Sequence, residues 1–246
     1  MKKLLFIALL IASWNLLSAQ TNQKDRVMVK MVHEVSKDSL QSYVRTMVSF
    51  GTRNTLSTQT DPKRGIGAAR NWVLGRFNEF AKQSGGRLTA IIDTTTLQKD
   101  GRRVDTTLLL GNVMATLKGT DPTDKRIFII SGHLDNMRSS VMDRTGDAPG
   151  ANDDASGVAA VMECARIMSK HSFPATVIFV PVSGEEQGLL GSTYMAEKAK
   201  KEKWEIEAVL NNDIMGGNNQ NETNKASNNQ VRVFSEGLSV LDTGRI

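Results

Sequence analysis

Ile127-Phe128-Ile129-Ile130-Ser131-Gly132-His133-Leu134-Asp135 is the stretch on which the fold turns. Four consecutive apolar residues suit a short strand buried on both faces, as in the middle of a sheet covered by helices. Two small residues follow, then a histidine and, two positions on, an aspartate. Open α/β sheets gather their ligands at the carboxyl ends of the strands, so His133 stands where chemistry is expected.

The same grammar recurs downstream. Ala175 to Val182 reads as a second buried strand and runs into Ser183-Gly184-Glu185-Glu186. Ile206 to Asn211 reads as a third and runs into Asn212-Asp213. Helical patterns separate them: Asp154 to Lys170, with Val158, Val161, Met162, Ala165 and Met168 on one stripe, and Leu189 to Glu202. Upstream, helices are expected over Met28–Ser49 and Gly65–Gln83, the second closed by Gly85-Gly86. Gly51 to Arg64 reads as a loop rich in Thr, Ser and Asn. Strands are expected over Leu88–Thr96 and Asn112–Lys118, antiparallel neighbours across the turn signal Asp100-Gly101. After Asp213 come an Asn-rich loop, Gly216 to Gln230, and a last short strand, Val231 to Phe234. Strands alternating with helices predict an α/β fold with helices on both faces of one sheet.

A chain of 246 residues suits one such domain, or at most two small ones. The net charge of +5 is scattered, without arginine-rich runs or stacked aromatics, and reads as a solvated surface and not a nucleic-acid footprint. The N-terminus has the layout of a secretory signal peptide: Lys2-Lys3, then mostly apolar Leu4 to Leu17, then Leu17-Ser18-Ala19 as a cleavage site. The apolar run is shorter than the ~20 residues that span a bilayer. Removal through residue 20 deletes Lys2 and Lys3 and lowers the net charge from +5 to +3. The expected location is secreted or periplasmic, with no membrane attachment after cleavage. Cys164 is the only cysteine, so no internal disulfide can form, and it reads as a buried thiol in a helix.

Taken singly, the polar stretches are ordinary. A lone histidine is usually a packed or surface residue, although a carboxylate at Asp135 could fix the tautomer of a ligating His133. Asp153 or Asp154 could cap the helix that follows, but capping accounts for one aspartate and not for both in a loop between Gly150 and Gly157. Glu185 and Glu186 would repel each other at a strand end unless a cation lies close. Asp213 alone would be a turn residue. Its separation from Glu186, one helix plus one strand, returns it to the same sheet edge. One imidazole and several carboxylates on one edge are the donors a hydrolytic zinc centre uses.

In order, His133-x-Asp135, Gly150-Ala151-Asn152-Asp153-Asp154-x-Ser156-Gly157, Gly184-Glu185-Glu186-x-Gly188 and Asn212-Asp213 resemble the M28 family of zinc aminopeptidases. The resemblance runs from about Leu40 to Phe234 and is strongest from Ile127 to Gly216. It implies a three-layer sandwich with a mixed, mostly parallel central sheet flanked by helices. It implies two zinc ions: His133 and Asp213 on one, Glu186 on the other, and Asp153 bridging both, with the peptide bond from Asp153 to Asp154 cis. It further implies Glu185 as the general base that activates a metal-bound water, and Asp135 as the residue that orients His133. The substrate it implies is a peptide with a free N-terminus. Manganese or cobalt could also occupy so oxygen-rich a site.

The family also has a distal histidine on the Glu186 metal. This chain has His33, His133 and His171 and none after Asp213. The expected organisation is therefore a signal peptide over 1–20 and a zinc peptidase domain over 21–246 that lacks its C-terminal part, the activity of the shortened chain left open. Two alternatives stand beside the aminopeptidase. One is a single-zinc glutaminyl cyclase of the same fold, against which Asp154-Ala155-Ser156-Gly157 speaks; the other is a non-catalytic remnant of a peptidase. Neither oligomeric state nor side-chain preference is legible.

Overall fold

A computed structural model describes residues 25–220, 225–226 and 233–234. The expected signal peptide lies outside them. Two units are distinguished, Met1–Val35 and Ser36–Ile246. In the first, helix α1 (Arg26–His33) buries no residue and leaves Val27, Met28, Val29 and Val32 exposed. The single helix expected over Met28–Ser49 is thus two. Ser36 divides them, because its hydroxyl accepts the Ser39 amide at 3.1 Å and starts α2 (Lys37–Ser49) afresh.

The second unit continues with α3 (Gly65–Ala81), β1 (Leu88–Leu97), β2 (Leu108–Leu117), β3 (Arg126–His133), α4 (Ala155–Met168), β4 (Thr176–Val182), α5 (Leu190–Glu202) and β5 (Glu205–Asn211). The five strands form one sheet in the order β1-β2-β4-β3-β5. β1 and β2 are antiparallel neighbours, as the turn signal between them predicts, and β2 starts four residues earlier than expected. β2 and β4 are antiparallel; β4 and β3, and β3 and β5, are parallel. The sheet is mixed, and its parallel half carries the motifs.

Helices cover both faces, which makes three layers. On one side α2, α3 and α4 pack Tyr43, Met47, Ile66, Val73, Phe77, Val158 and Met162 against Val113, Ile130 and Phe179 of the sheet. On the other side Met195 of α5 meets Met114, Ile129, Ile178, Val180 and Val182. The alternation of Ile129 and Ile130 between these two clusters is the period-2 geometry of a strand buried on both faces. Cys164 is half-buried beside the larger cluster and is a free thiol.

β5 departs from expectation. Its apolar sequence reads as a buried strand, yet it forms an edge of the sheet among the described residues, with Ile206, Val209 and Leu210 exposed by 40%, 55% and 58%. Among the described residues it pairs with β3 alone, and all of its residues except Ala208 are exposed. In the Asn-rich segment, β6 (Asn219–Gln220) and β7 (Lys225–Ala226) pair antiparallel. Of the expected strand Val231–Phe234, only Val233 and Phe234 are described; both lie outside any strand and are exposed. Among the described residues, no helix is long and apolar enough to cross a membrane.

Position in the sheet sets the cost of mutation. Phe179→Ala, at a fully buried site in β4, is expected to lower unfolding free energy by ~3–5 kcal/mol in a urea titration. Val209→Thr on the exposed strand should change it by less than about 0.5 kcal/mol.

Candidate metal centre

β3, β4 and β5 run parallel, so their carboxyl ends share one rim of the sheet. His133 is the last residue of β3 and is 3% exposed. Its Nε2 lies 2.9 Å from Asp153 Oδ1 and 3.7 Å from Asp213 Oδ1. The ligand atoms of His133, Asp153 and Asp213 all lie within 4.8 Å of one another, and so do those of His133, Glu185 and Glu186. The four motifs, spread over 80 positions of the chain, thus meet around one imidazole.

Local chemistry explains how each side chain is held. Asp154 caps α4: its Oδ1 accepts the Gly157 amide and its Oδ2 the His133 amide, both at 2.9 Å. The Asp153–Asp154 peptide bond is cis, as the resemblance implies. Through the two Asp154 hydrogen bonds the helix begins bonded to the strand that bears the histidine. Asn212 binds the Ser131 carbonyl through its backbone amide at 2.8 Å and its side chain at 3.0 Å, which ties the end of β5 to β3. Beyond Asp213, the amides of Met215 and Gly216 donate to Ser156 Oγ and Asn152 Oδ1 at 2.9 and 2.7 Å. The Asp213 turn is thereby pinned to the α4 N-terminus.

Asp135 is wholly buried, and its carboxylate does more than face the histidine. Oδ1 and Oδ2 accept the amides of Glu185 and Glu186 at 3.1 Å each, and Thr55 donates to Oδ2 at 3.1 Å. The group nearest His133 Nδ1 is the Asp135 backbone carbonyl at 3.1 Å, with the carboxylate at 3.9 Å. One aspartate therefore fixes the far side of the imidazole and the turn that carries both glutamates. That turn leaves β4 through Gly184, whose φ of +77° falls in the left-handed region open to glycine. Ser183 then bonds to Asn112 and Gly111 of β2.

The electrostatics are those of crowded acids. Burial pushes Glu186 up to about 7, and Asp153 and Asp135 add to the shift. Burial also raises Glu185, with Asp135, Asp213 and Asp153 reinforcing it. Asp154 is raised to about 7 by burial against the pull of His133. Burial disfavours the His133 cation, but Asp135, Asp154, Glu185 and Asp213 outweigh it and leave its pKa above the ordinary value. Buried carboxyls whose ionisation is disfavoured, next to Asp153 and Asp213 at His133 Nε2, are a donor set that a divalent cation would relieve. One nitrogen and several oxygens fit zinc.

His171 does not join them. It follows the far end of α4, about 20 Å of helix from Asp154 at 1.5 Å per residue. His33 is exposed and belongs to the other unit.

Residues 112–241, more than half of the chain, match the model of peptidase family M28. The chain belongs to that family. A fungal relative from Pyricularia oryzae, called a probable zinc metalloprotease, is 45% identical over 206 residues, covering 84% of this chain and 40% of that protein. A relative of the same description from Pyrenophora teres f. teres is 41% identical over 221 residues, 89% of this chain and 47% of that one. The chain thus spans less than half the length of these two relatives. Among solved structures, the LapA aminopeptidase of Legionella pneumophila shares the fold with a TM-score of 0.62 and 22% identity, over 82% of this chain and 49% of that one. A glutaminyl cyclase from Porphyromonas gingivalis does so with a TM-score of 0.59 and 21% identity, over 74% of this chain and 62% of that one.

Sequence reasoning missed the supports. Nothing in the sequence marks Thr55 or Asn112 as partners of the site, and Asn152 and Ser156 lie in the Gly150–Gly157 motif without an evident role; only their folded positions reveal one. Gly157 supplies a test. A Cβ there would sit 2.3 Å from the Asn212 carbonyl oxygen and 2.5 Å from both Asp154 carboxylate oxygens. Gly157→Ala should part β5 from α4, and we expect zinc binding measured by calorimetry to weaken at least tenfold, on the order of what lost supporting contacts cost a metal site.

Proposed function

We propose that the chain carries the metal-binding and general-base residues of a zinc exopeptidase that removes N-terminal residues from peptides. The observation that carries this reading is the convergence of His133 with Asp153, Asp213, Glu185 and Glu186 at one rim of the sheet. Membership of family M28 and relatives called probable zinc metalloproteases support it.

His133 and Asp213 would hold one zinc ion, Glu186 the other, and Asp153 would be shared. Bound there, zinc supplies Lewis acidity toward the scissile carbonyl and its developing negative charge. The chain's own residues do the rest. Glu185 takes the proton of the attacking water and returns it to the departing amine. Asp135 holds the imidazole from behind and keeps Glu185 and Glu186 on one turn. The surplus of carboxylates favours a substrate with a free ammonium terminus over a blocked one. We place the protein outside the cytoplasm on the strength of its N-terminal pattern.

Three outcomes are expected. His133→Ala, which removes the imidazole of both donor groups, should abolish zinc retention on dialysis, read by metal analysis. Glu185→Gln should retain zinc and lose about 10²–10⁴-fold in hydrolysis rate. Peptides with a free N-terminus should release amino acids while N-acetylated ones do not; equal release from both would refute the aminopeptidase reading. Cyclisation of an N-terminal glutamine peptide, with no hydrolysis, would instead favour a cyclase.

A further inference from the structure

Arg53 has no part in the chemistry described so far, yet it is 1% exposed and lies in a buried polar run with Thr52, Asn54, Thr55 and Ser57. Its side chain donates only to backbone carbonyls: Nε to Leu134 at 2.8 Å, Nη1 to Met47 at 3.2 Å and Pro149 at 3.0 Å, and Nη2 to Gly150 at 2.9 Å. Its own amide donates to Asn136 Oδ1 at 2.9 Å, and Asn136 Nδ2 donates to the Ala148 carbonyl at 2.7 Å.

The partners are not arbitrary. Leu134 lies between His133 and Asp135. Pro149 and Gly150 open the loop that presents Asp153. Met47 is in the last turn of α2. One planar fork therefore spans the segment bearing the imidazole, the segment bearing the shared carboxylate and a core helix. A lysine could not reproduce this, because its compact ammonium cannot reach divergent acceptors with fixed geometry.

Burying a cation is unfavourable unless something compensates. Burial draws the Arg53 pKa down to about 10, opposed by Asp135, Asp154 and Asp153. The guanidinium thus stays charged at neutral pH, and the same acids that crowd the rim favour its presence.

We propose that Arg53 is a positioning residue of the metal centre, which holds the His133 and Asp153 segments at ligating separation before any metal arrives. It acts through the carbonyls of Leu134, Pro149 and Gly150 and touches neither metal nor substrate. The inference rests on the metal-centre reading above.

The test compares zinc affinity, by competition with a chromophoric chelator, and the urea midpoint of the metal-free protein. It uses the full chain as wild type, Arg53→Lys, Arg53→Gln and Phe77→Leu. Phe77 is buried in the core and belongs to no ligand segment, so its variant reports what lost stability alone does. Both Arg53 variants are expected to bind zinc about 10–100-fold more weakly, while Phe77→Leu stays within about twofold of wild type. Arg53 variants that lose stability but keep wild-type zinc affinity overturn the proposal and leave the metal centre standing. A wild type that binds no zinc overturns both. If neither Arg53 variant folds, Nε–H exchange of Arg53 in the metal-free wild type decides. Protection far beyond that of exposed arginines supports a preset fork, and exchange as fast as theirs overturns it.

Discussion

Six carboxylates surround one buried imidazole, and the structure depends on keeping them there. Asp135, Asp153, Asp154, Glu185, Glu186 and Asp213 would separate if their backbones were free, since like charges in a low-dielectric setting repel strongly. The two most buried are bound by backbone amides: Asp154 by Gly157 and His133, Asp135 by Glu185 and Glu186. The more exposed Asp153 and Asp213 keep water on one side and remain available to a cation. Burial thus divides the acids into those that organise the rim and those that can ligate.

The scaffold acts through connections between strands as much as through the strands themselves. Parallel pairing of β4, β3 and β5 brings three chain reversals to one edge, and each reversal is bonded to another. Asn212 ties β5 to Ser131, Ser156 and Asn152 tie the Asp213 turn to α4, and Asp135 ties β3 to the turn after β4. Displacing one reversal therefore moves its neighbour's ligand. Close approach makes this coupling possible at Gly157, where hydrogen in place of a methyl lets the Asn212 carbonyl and the Asp154 carboxylate share the space.

Two regions show why sequence pattern and folded position diverge. Gly51 to Arg64 has the composition of a surface loop, yet Thr52 to Ser57 are buried, because partners some 80 residues away satisfy their polar groups: Arg53 with Leu134, Asn54 with Val141, Thr55 with Asp135. Composition records that a residue is polar, not whether a distant carbonyl will meet it. β5 errs in the opposite sense. Ile206, Val209 and Leu210 have the pattern of an inner strand, and the described residues place it at an edge. Hydrophobicity states what a strand can bury, while neighbours determine what it does bury.

By itself the sequence determined the α/β class, the three apolar strands that run into His133, Glu185-Glu186 and Asp213, and the residue types of a zinc site. These follow from local periodicity and from the rule that strand ends carry the chemistry. Only the tertiary structure decided the strand order, the helix break at Ser36, the bonding of Asp135 to the glutamate turn, and the burial of Arg53 behind the rim. Those features depend on contacts between segments far apart in the chain, and such contacts exist only after the sheet has assembled.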